Sequence, residues 1–242
     1  MSLSIQQKKF VKALHLKKNR TKLGFFIAEG EKIVEELLNS DYEVLGLFAT
    51  ANWKGDFDGS VTQVSEQELS AISTLKTPNC VLAVAKQKHQ QLGNNFSMPI
   101  IALDTIQDPG NLGTIIRTAD WFGIQNIVCS ESCVDIYNPK VVQATMGSIF
   151  RLNVLVTSLA DFFKENNQLC VYGALLEGEN CFATRFQQSH TVLLMGNEGA
   201  GISSKLFPFI SKKITIPKLG HAESLNVGIA TGILCAEMTK YN

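Results

Sequence analysis

One arginine of this sequence has mostly apolar neighbours at helical spacing. Arg117 belongs to residues 104–124, where leucine, isoleucine, alanine and phenylalanine surround it at helical spacing. A guanidinium on an apolar helix needs a carboxylate or a phosphate as its partner, because an unpaired charge is costly outside water. Two interpretations are open: an ion pair with Asp120 or Glu198, and a contact with a phosphate group of a ligand.

A second segment could hold a ligand with its main chain. Residues 193–203 read as a buried strand that runs into glycines at 196, 199 and 201, with Glu198 between them. Glycine lets backbone N–H and C=O groups approach a ligand closely. The pattern is neither a dinucleotide-binding fingerprint nor a P-loop. Many turns from a strand to a helix share it, so alone it is a weak indication.

A third segment, residues 214–238, combines a strand, a proline-containing loop and a helix of small residues. Ser224 is the expected helix cap, which leaves Asn226 inside the first turn. Gly228 and Gly232 give this helix a thin face, suited to close packing against another backbone within the fold or across a dimer.

The surrounding elements predict how these segments are positioned. Strands alternate regularly with helices over residues 99–242, which predicts an α/β domain with a mostly parallel sheet covered by helices. Ligands bind beyond the carboxyl ends of such strands, so we expect the site in the loops after Leu103, Met195 and Ile216. A smaller α/β domain is predicted for residues 1–90, and a polar, amide-rich linker for residues 91–98.

Several helices are predicted from periodicity and capping residues. Asp108-Pro109-Gly110-Asn111 reads as a turn with a cap, and Asn138 with Pro139 is a strong helix start. The predicted helices are Ile5–His15, Glu31–Leu38, a Ser65-capped helix through Ile72, Asn111–Phe122, the helix opened by Asn138, Leu159–Asn166, one near Ser203–Ile210, and a closing helix from Leu225 to Met238.

The overall charge gives no indication of a nucleic-acid partner, since 22 basic and 22 acidic residues balance. The distribution is uneven, however, because residues 1–22 contain no acid. This cluster is either a solvated helix face or a contact surface for phosphates. Its members are Lys8, Lys9, Lys12, Lys17, Lys18, Arg20 and Lys22.

Cysteines and histidines give no indication of a metal. The six cysteines contain no C-x-x-C pair, and the four histidines lack metal-ligand spacing, so we expect reduced thiols and no metal. Neither a membrane-spanning stretch nor a secretory signal is evident, which predicts a soluble, cytoplasmic protein.

Taken together, the three segments resemble one known family. DPGNLGTIIRTAD (108–120), MGNEGAGIS (195–203) and IPKLGHAESLNV (216–227) are similar, in this order, to the three motifs of the SpoU/TrmH family of RNA ribose methyltransferases, within the SPOUT superfamily. In addition, FVKALHLKKNRTKLGFFIAEGEKIVEELL (10–38) resembles the opening of the RNA substrate-binding domain that precedes the catalytic domain in many members.

The resemblance implies a fold, a cofactor and an activity. The expected fold is an α/β domain with a C-terminal trefoil knot that works as a homodimer, and the expected cofactor is S-adenosyl-L-methionine. The expected reaction is methyl transfer to a ribose 2′-hydroxyl of RNA, with ribosomal RNA preferred over transfer RNA. A catalytically silent RNA-binding relative is the leading alternative. A nucleotide-dependent oxidoreductase is disfavoured, because its glycine fingerprint is absent.

The resemblance also implies site residues. The catalytic positions are Arg117, Asn111, Glu198, Ser224 and Asn226. The cofactor-binding positions are Leu175, Gly196, Asn197, Gly199, Ile216 and Leu225. A base role has been proposed for the family arginine, yet a guanidinium holds its proton very strongly. We therefore expect Arg117 to bind the neighbouring phosphate and to stabilise the developing alkoxide.

Overall fold

The computed structural model describes residues 3–88, 92, 98–187 and 189–240. It contains two compact units, Met1–His89 with Asp135–Arg151 and Gln90–Val134 with Leu152–Asn242. Residues 135–151, which the sequence assigned to the second domain, thus pack within the first unit. Most of the predicted linker, residues 91–98, lies outside the described residues, and the domain limits stay a prediction.

The helices and strands alternate along most of the chain. The α-helices are α1 Ile5–Ala13, α2 Lys17–Leu23, α3 Glu31–Leu38, α4 Glu66–Ser70, α5 Pro109–Trp121, α6 Pro139–Thr145, α7 Leu159–Glu165 and α8 Val227–Thr239. The strands are β1 Phe25–Glu29, β2 Val44–Ala49, β3 Val61–Gln63, β4 Val81–Lys86, β5 Ile100–Leu103, β6 Asn126–Cys129, β7 Asn153–Val156, β8 Cys170–Asn180, β9 Thr191–Met195 and β10 Lys212–Thr215. Short 3₁₀ helices cover Ser148–Phe150 and Ser204–Phe209.

The first unit is built on a four-stranded sheet in the order β1-β4-β2-β3. An aromatic cluster explains why residues 135–151 belong to it. The ring of Phe26 on β1 lies 4.6 Å from that of Tyr137 and 6.3 Å from that of Phe150, measured between centroids. The hydroxyl groups of Tyr42 and Tyr137 are hydrogen-bonded at 3.3 Å. Buried aromatic pairs of this kind contribute strongly to packing.

The second unit is built on a six-stranded sheet in the order β10-β8-β9-β5-β6-β7. All five strand pairs are parallel. Every residue of the central strands β5 and β9 is buried, as expected for strands covered on both faces. This confirms the predicted α/β class and the parallel sheet. The trefoil knot stays a prediction.

Small residues bring α5 and α8 close together in the second unit. A Cβ atom added to Gly228 would lie 3.2 Å from Cγ2 of Thr114, and one added to Gly232 would lie 3.9 Å from Cγ2 of Thr118. The thin face of α8 therefore packs against a helix of the same chain. This packing determines how the N-terminal ends of the two helices are placed.

Other features bear on the kinds of site the chain can form. The six cysteines are free thiols, and Cys129, Cys133, Cys181 and Cys235 are buried. In the described part of the chain, no cluster of three or more His, Cys, Asp or Glu side chains could hold a metal ion. No helix within the described ranges is long and apolar enough to cross a membrane.

Candidate active site

Three side chains connect the three sequence segments. Nδ2 of Asn111 donates a hydrogen bond to Oε1 of Glu198 at 2.6 Å, and Nδ2 of Asn226 donates to Oδ1 of Asn111 at 2.9 Å. These residues are far apart in sequence, and each comes from a different segment. The hydrogen-bonded chain therefore gathers the start of α5, the loop after β9 and the start of α8 at one place.

Helix capping fixes the two asparagines of this chain. Asp108 is the N-cap of α5, and its Oδ1 accepts from the backbone N of Asn111 at 2.8 Å. Asn226 is the N-cap of α8, and its Oδ1 accepts from the backbone N of Gly228 at 2.9 Å and of Ile229 at 3.2 Å. With its oxygen used for capping, Asn226 presents its NH₂ group to Asn111.

The capping geometry corrects two predictions. Helix α5 begins at Pro109, two residues before the expected start, because proline suits the first position of a helix after the cap Asp108. Ser224 is not the cap of α8, since Asn226 has that place. Ser224 and Leu225 are exposed in the loop before the helix.

The loop after β9 is folded tightly on itself. Oδ1 of Asn197 accepts from the backbone N atoms of Gly199 and Ala200, both at 3.0 Å, and the backbones of Asn197 and Gly201 exchange two hydrogen bonds of 3.0 and 2.9 Å. A Cβ atom at Gly196 would lie only 2.3 Å from the carbonyl carbon of Gly201. Glycine is therefore required at position 196 for the loop to close.

A strained turn supports this loop from β5. Thr105 has a φ of +61°, which is uncommon for a β-branched residue. Its carbonyl accepts from Nδ2 of Asn197 at 2.9 Å, and its N–H donates to Oγ of Ser130 at 2.9 Å. The next N–H, of Ile106, donates to Sγ of Cys133 at 3.3 Å. A hydrogen bond from Cys129 lowers the pKa of the Cys133 thiol to about 7.

Two of the predicted cofactor positions are neighbours across strands β8 and β9. Gly173 on β8 pairs with Leu194 on β9, so the residues two places further on, Leu175 and Gly196, come next at the same edge of the sheet. Leu175 and Ile216 are half-buried, Asn197 is half-buried, and Gly199 is exposed. Open space surrounds the position that a Cβ atom of Gly201 would take.

Three leucines of the second unit have uncovered side chains: Leu176 lies within β8, and Leu219 and Leu225 lie in the segment between β10 and α8. Leu176, Leu219 and Leu225 are 77%, 99% and 48% exposed. Oγ1 of Thr215, at the end of β10, donates to the carbonyl of Leu176 at 3.0 Å, which links the end of β10 to the middle of β8. Exposed leucines of this kind are available to a flat, partly apolar ligand such as an adenine ring.

Arg117 is exposed on α5 and stands outside the hydrogen-bonded chain. Within the described ranges it forms no hydrogen bond and no ion pair, so neither Asp120 nor Glu198 is its salt-bridge partner. The carboxylate of Glu198 is instead held by Asn111. The ion-pair interpretation is therefore wrong, and the contact with a ligand phosphate stays a prediction.

The N-terminal basic cluster divides into two kinds of residue. Arg20 is only 2% exposed, and its guanidinium donates to Asp135 through Nε at 2.8 Å and Nη2 at 2.6 Å. Its Nη1 donates to the carbonyls of Leu14 and His15. The prediction that Arg20 contacts RNA is therefore wrong, because its guanidinium is buried and already hydrogen-bonded to Asp135 and to two backbone carbonyls. The six lysines are exposed on or beside α1 and α2: Lys8, Lys9, Lys12, Lys17, Lys18 and Lys22.

The sequence reasoning missed Asp104, which follows the last residue of β5 and is 1% exposed. Its carboxylate is hydrogen-bonded to the end of the 196–203 loop. The available signal was a charged residue directly after a buried strand, at the edge of the sheet where ligands bind.

Comparison with family models assigns both parts of the chain. A model described as the SpoU rRNA Methylase family matches residues 98–236, which is more than half of the chain. A model of the MRM3-like substrate binding domain matches residues 6–83. The chain belongs to the SpoU rRNA methylase family.

Individual relatives match over nearly the whole length. The chain is 34% identical to the 23S rRNA (guanosine(2553)-2'-O)-methyltransferase RlmP of Bacillus subtilis, over 95% of this chain and 94% of that protein. A TrmH-family structure from Porphyromonas gingivalis superposes with a TM-score of 0.90 at 35% identity, covering 99% of both chains. The AdoMet-bound rRNA methyltransferase of Sinorhizobium meliloti superposes with a TM-score of 0.89 at 30% identity, covering 100% of this chain and 98% of that one.

Proposed function

We propose that this protein transfers a methyl group from S-adenosylmethionine to a ribose 2′-hydroxyl of RNA, with ribosomal RNA as the substrate class. The observation that carries the proposal is the hydrogen-bonded chain of Asn111, Glu198 and Asn226, because it assembles three separate segments into one site. The likeness to a relative named as an rRNA 2′-O-methyltransferase supports the substrate class.

The donor-binding part of the proposal rests on main-chain groups and uncovered leucines. The adenosine would bind at the closed 196–203 loop, through backbone groups of the loop and apolar side chains at the predicted positions. The donor supplies a methyl group already activated by its positive sulfur, so the protein acts mainly by placing it. The residues that hold it are Leu175, Gly196, Asn197, Gly199, Ile216 and Leu225.

Arg117 is proposed to act on the acceptor. The ribose hydroxyl is a weak nucleophile and must lose its proton as it attacks. The guanidinium binds the neighbouring phosphate and stabilises the developing alkoxide, while the proton leaves to phosphate or water. Asn111, Glu198, Ser224 and Asn226 orient the ribose; a role in holding Arg117 is not supported, because none of them is hydrogen-bonded to it among the described residues. The exposure of Arg117 supports the role, since an RNA backbone can reach it.

The first unit is proposed to bind RNA through the exposed lysines of the basic cluster, now without Arg20. Each lysine that neutralises a phosphate strengthens binding and makes it dependent on salt. The match to a substrate-binding domain over residues 6–83 supports this assignment. A cytoplasmic location accords with an RNA substrate.

We also propose that the active form is a homodimer with a knotted second domain, as the family resemblance implies. Apolar side chains on two packed helices support an interface there, since Trp121 on α5 is 85% exposed and Ile229 on α8 is 58% exposed. Analytical ultracentrifugation at micromolar protein concentration would give the oligomeric state.

The function is tested by methyl transfer to matched RNA samples. The protein is incubated with tritium-labelled S-adenosylmethionine and total RNA from cells that lack the gene, and in parallel with RNA from cells that have it. We expect label in the first RNA only, since the second is already modified. After alkaline hydrolysis the label should remain in dinucleotides, because a 2′-O-methyl group prevents cleavage at its own ribose.

The outcomes separate the alternatives. Label in alkali-sensitive mononucleotides would mean base methylation, which contradicts the proposed reaction. Label confined to transfer RNA would contradict the ribosomal substrate. An absence of label together with tight RNA binding would make the protein a silent RNA-binding relative.

A further inference from the structure

A buried carboxylate lies directly behind the proposed donor-binding loop. Asp104 follows the last residue of β5 and is 1% exposed, yet it forms no ion pair with a cation in the described part of the chain. A buried charge without a counter-ion is costly unless hydrogen bonds satisfy it. The partners of Asp104 therefore indicate what the charge is used for.

Two of the three hydrogen bonds to the carboxylate come from the loop. Oδ2 of Asp104 accepts from the backbone N of Ser203 at 2.7 Å and from its Oγ at 2.6 Å. The remaining oxygen, Oδ1, accepts from Oγ1 of Thr105 at 3.0 Å. Charge-assisted hydrogen bonds of this length are among the strong ones in proteins. Ser203, the last residue of the loop, is thus held by two bonds to one carboxylate oxygen.

The same short stretch also holds the beginning of the loop. The backbone N of Asp104 donates to the carbonyl of Met195 at 2.9 Å, and the carbonyl of Thr105 accepts from Nδ2 of Asn197 at 2.9 Å. Asp104 and Thr105 therefore hold both ends of residues 196–203. Between these ends, Glu198, Gly199 and Ala200 are exposed.

We propose that Asp104 is a positioning residue: its carboxylate sets the closed form of the 196–203 loop through Ser203, and this form determines the affinity for the methyl donor. The inference rests on the proposed function, because it assigns a ligand to this loop. A purely structural Asp104 would instead contribute to folding and leave donor affinity unchanged.

The test measures donor affinity and stability in the full-length chain. The variants are Asp104→Asn, Ser203→Ala and the double variant, and S-adenosylhomocysteine binding is followed by calorimetry. Asp104→Asn removes the charge and should weaken binding about tenfold, and Ser203→Ala removes one of two bonds and should weaken it about threefold. The double variant should bind about as weakly as Asp104→Asn alone, because both changes remove the same contact.

A matched control removes a buried hydrogen bond at the other end of a neighbouring strand. Thr191 begins β9, is 0% exposed, and donates from Oγ1 to the carbonyl of Gln187 at 2.7 Å. Thr191→Ala should lower the melting temperature and leave S-adenosylhomocysteine affinity unchanged. For Asp104→Asn, the KM for the donor should rise while the KM for RNA stays the same.

Two results would overturn the proposal. The first is an Asp104→Asn variant that binds the donor as tightly as the Thr191→Ala control does. The second is a double variant whose loss of affinity equals the product of the two single losses, because the two changes would then act independently. If Asp104→Asn fails to fold, the Ser203→Ala variant alone tests the proposal. Unchanged donor affinity in Ser203→Ala would then reject the positioning role of Asp104. Failure of the unmodified protein to bind the donor would instead count against the proposed function.

Discussion

Arg20 and Arg117 carry the same side chain in two opposite environments. In the first unit, Arg20 is buried and donates four hydrogen bonds, to Asp135 and to two backbone carbonyls. In the second unit, Arg117 is exposed and has no partner among the residues described. The first arginine stabilises its own unit, and the second is available to a ligand.

The contrast shows that the neighbouring residues in the sequence do not predict whether an arginine is buried or exposed. Arg20 lies among lysines and resembles a surface charge, but Asp135, which lies 115 residues further on, folds against it. Arg117 lies among apolar residues and resembles a buried charge, but it shares the exposed face of α5 with Thr114 and Trp121. Helical spacing of three to four residues produces this face.

The largest expected effect is the loss of stability on removing Arg20. Arg20→Ala should lower the free energy of unfolding by about 3 kcal/mol, because it leaves the half-buried carboxylate of Asp135 without its cation. Urea denaturation monitored by circular dichroism would measure it, with Arg117→Ala as the control at less than about 0.5 kcal/mol. Equal losses in the two variants would remove the distinction between the arginines.

The reverse effect is expected for catalysis. Arg117→Ala should lower kcat by about 10²–10³-fold, as on removal of other groups that stabilise a developing oxyanion, with little change in melting temperature. Arg185→Ala is the matched control, since Arg185 is also exposed in the second unit. The kcat of this variant should equal that of the unmodified protein. Turnover near that of the unmodified protein in Arg117→Lys would contradict a bidentate phosphate contact.

A smaller effect should separate two helix-capping asparagines. Asn226 caps α8 and belongs to the hydrogen-bonded chain, whereas Asn138 caps α6 through Lys140 N and does not. Replacing either by alanine should cost about 1 kcal/mol of stability. Only Asn226→Ala should lower kcat, by about tenfold for one lost hydrogen bond. The proposed network would be wrong if methyl transfer fell equally in both variants.

The smallest effect concerns single lysines of the basic cluster. Lys17→Ala should weaken RNA binding and reduce the slope of log affinity against log salt by about 0.7–0.9, the change expected for one phosphate contact. Lys164→Ala is the control, because that exposed lysine is paired with Asp161 on α7. Filter binding at several salt concentrations gives the slopes. Identical slopes for Lys17→Ala and the unmodified protein would mean that Lys17 contacts no phosphate, and would favour the interpretation of the cluster as a solvated helix face.

Elements with strong local signals were predictable from the sequence. The helix Glu31–Leu38 and the start of α6 at Pro139 lie where periodicity and capping residues indicated them. The alternation of strands and helices predicted the parallel sheet, which the structure confirms. The family resemblance, based on the order of three motifs, is likewise confirmed by the match over residues 98–236.

Features that depend on distant partners were not predictable. Helix α2, Lys17–Leu23, has no periodic apolar face, because its buried residue is Arg20. The packing of residues 135–151 in the first unit depends on Phe26 and Tyr42, about a hundred residues earlier. The role of Asp104 depends on Ser203, which is 99 residues away. Periodicity and capping describe only neighbours in the chain, so neither rule reaches such contacts.

The contact between Gly196 and Gly201 has a genetic consequence. Every amino acid other than glycine has a Cβ atom, and at position 196 that atom would meet the backbone of the same loop at 2.3 Å. Every missense change in this codon is therefore unfavourable, whatever residue it introduces. Position 196 lies in the second unit and the lysine-rich helices lie in the first. If the first unit binds RNA as proposed, a substitution at position 196 leaves that binding in place while it disturbs the loop proposed to hold the methyl donor.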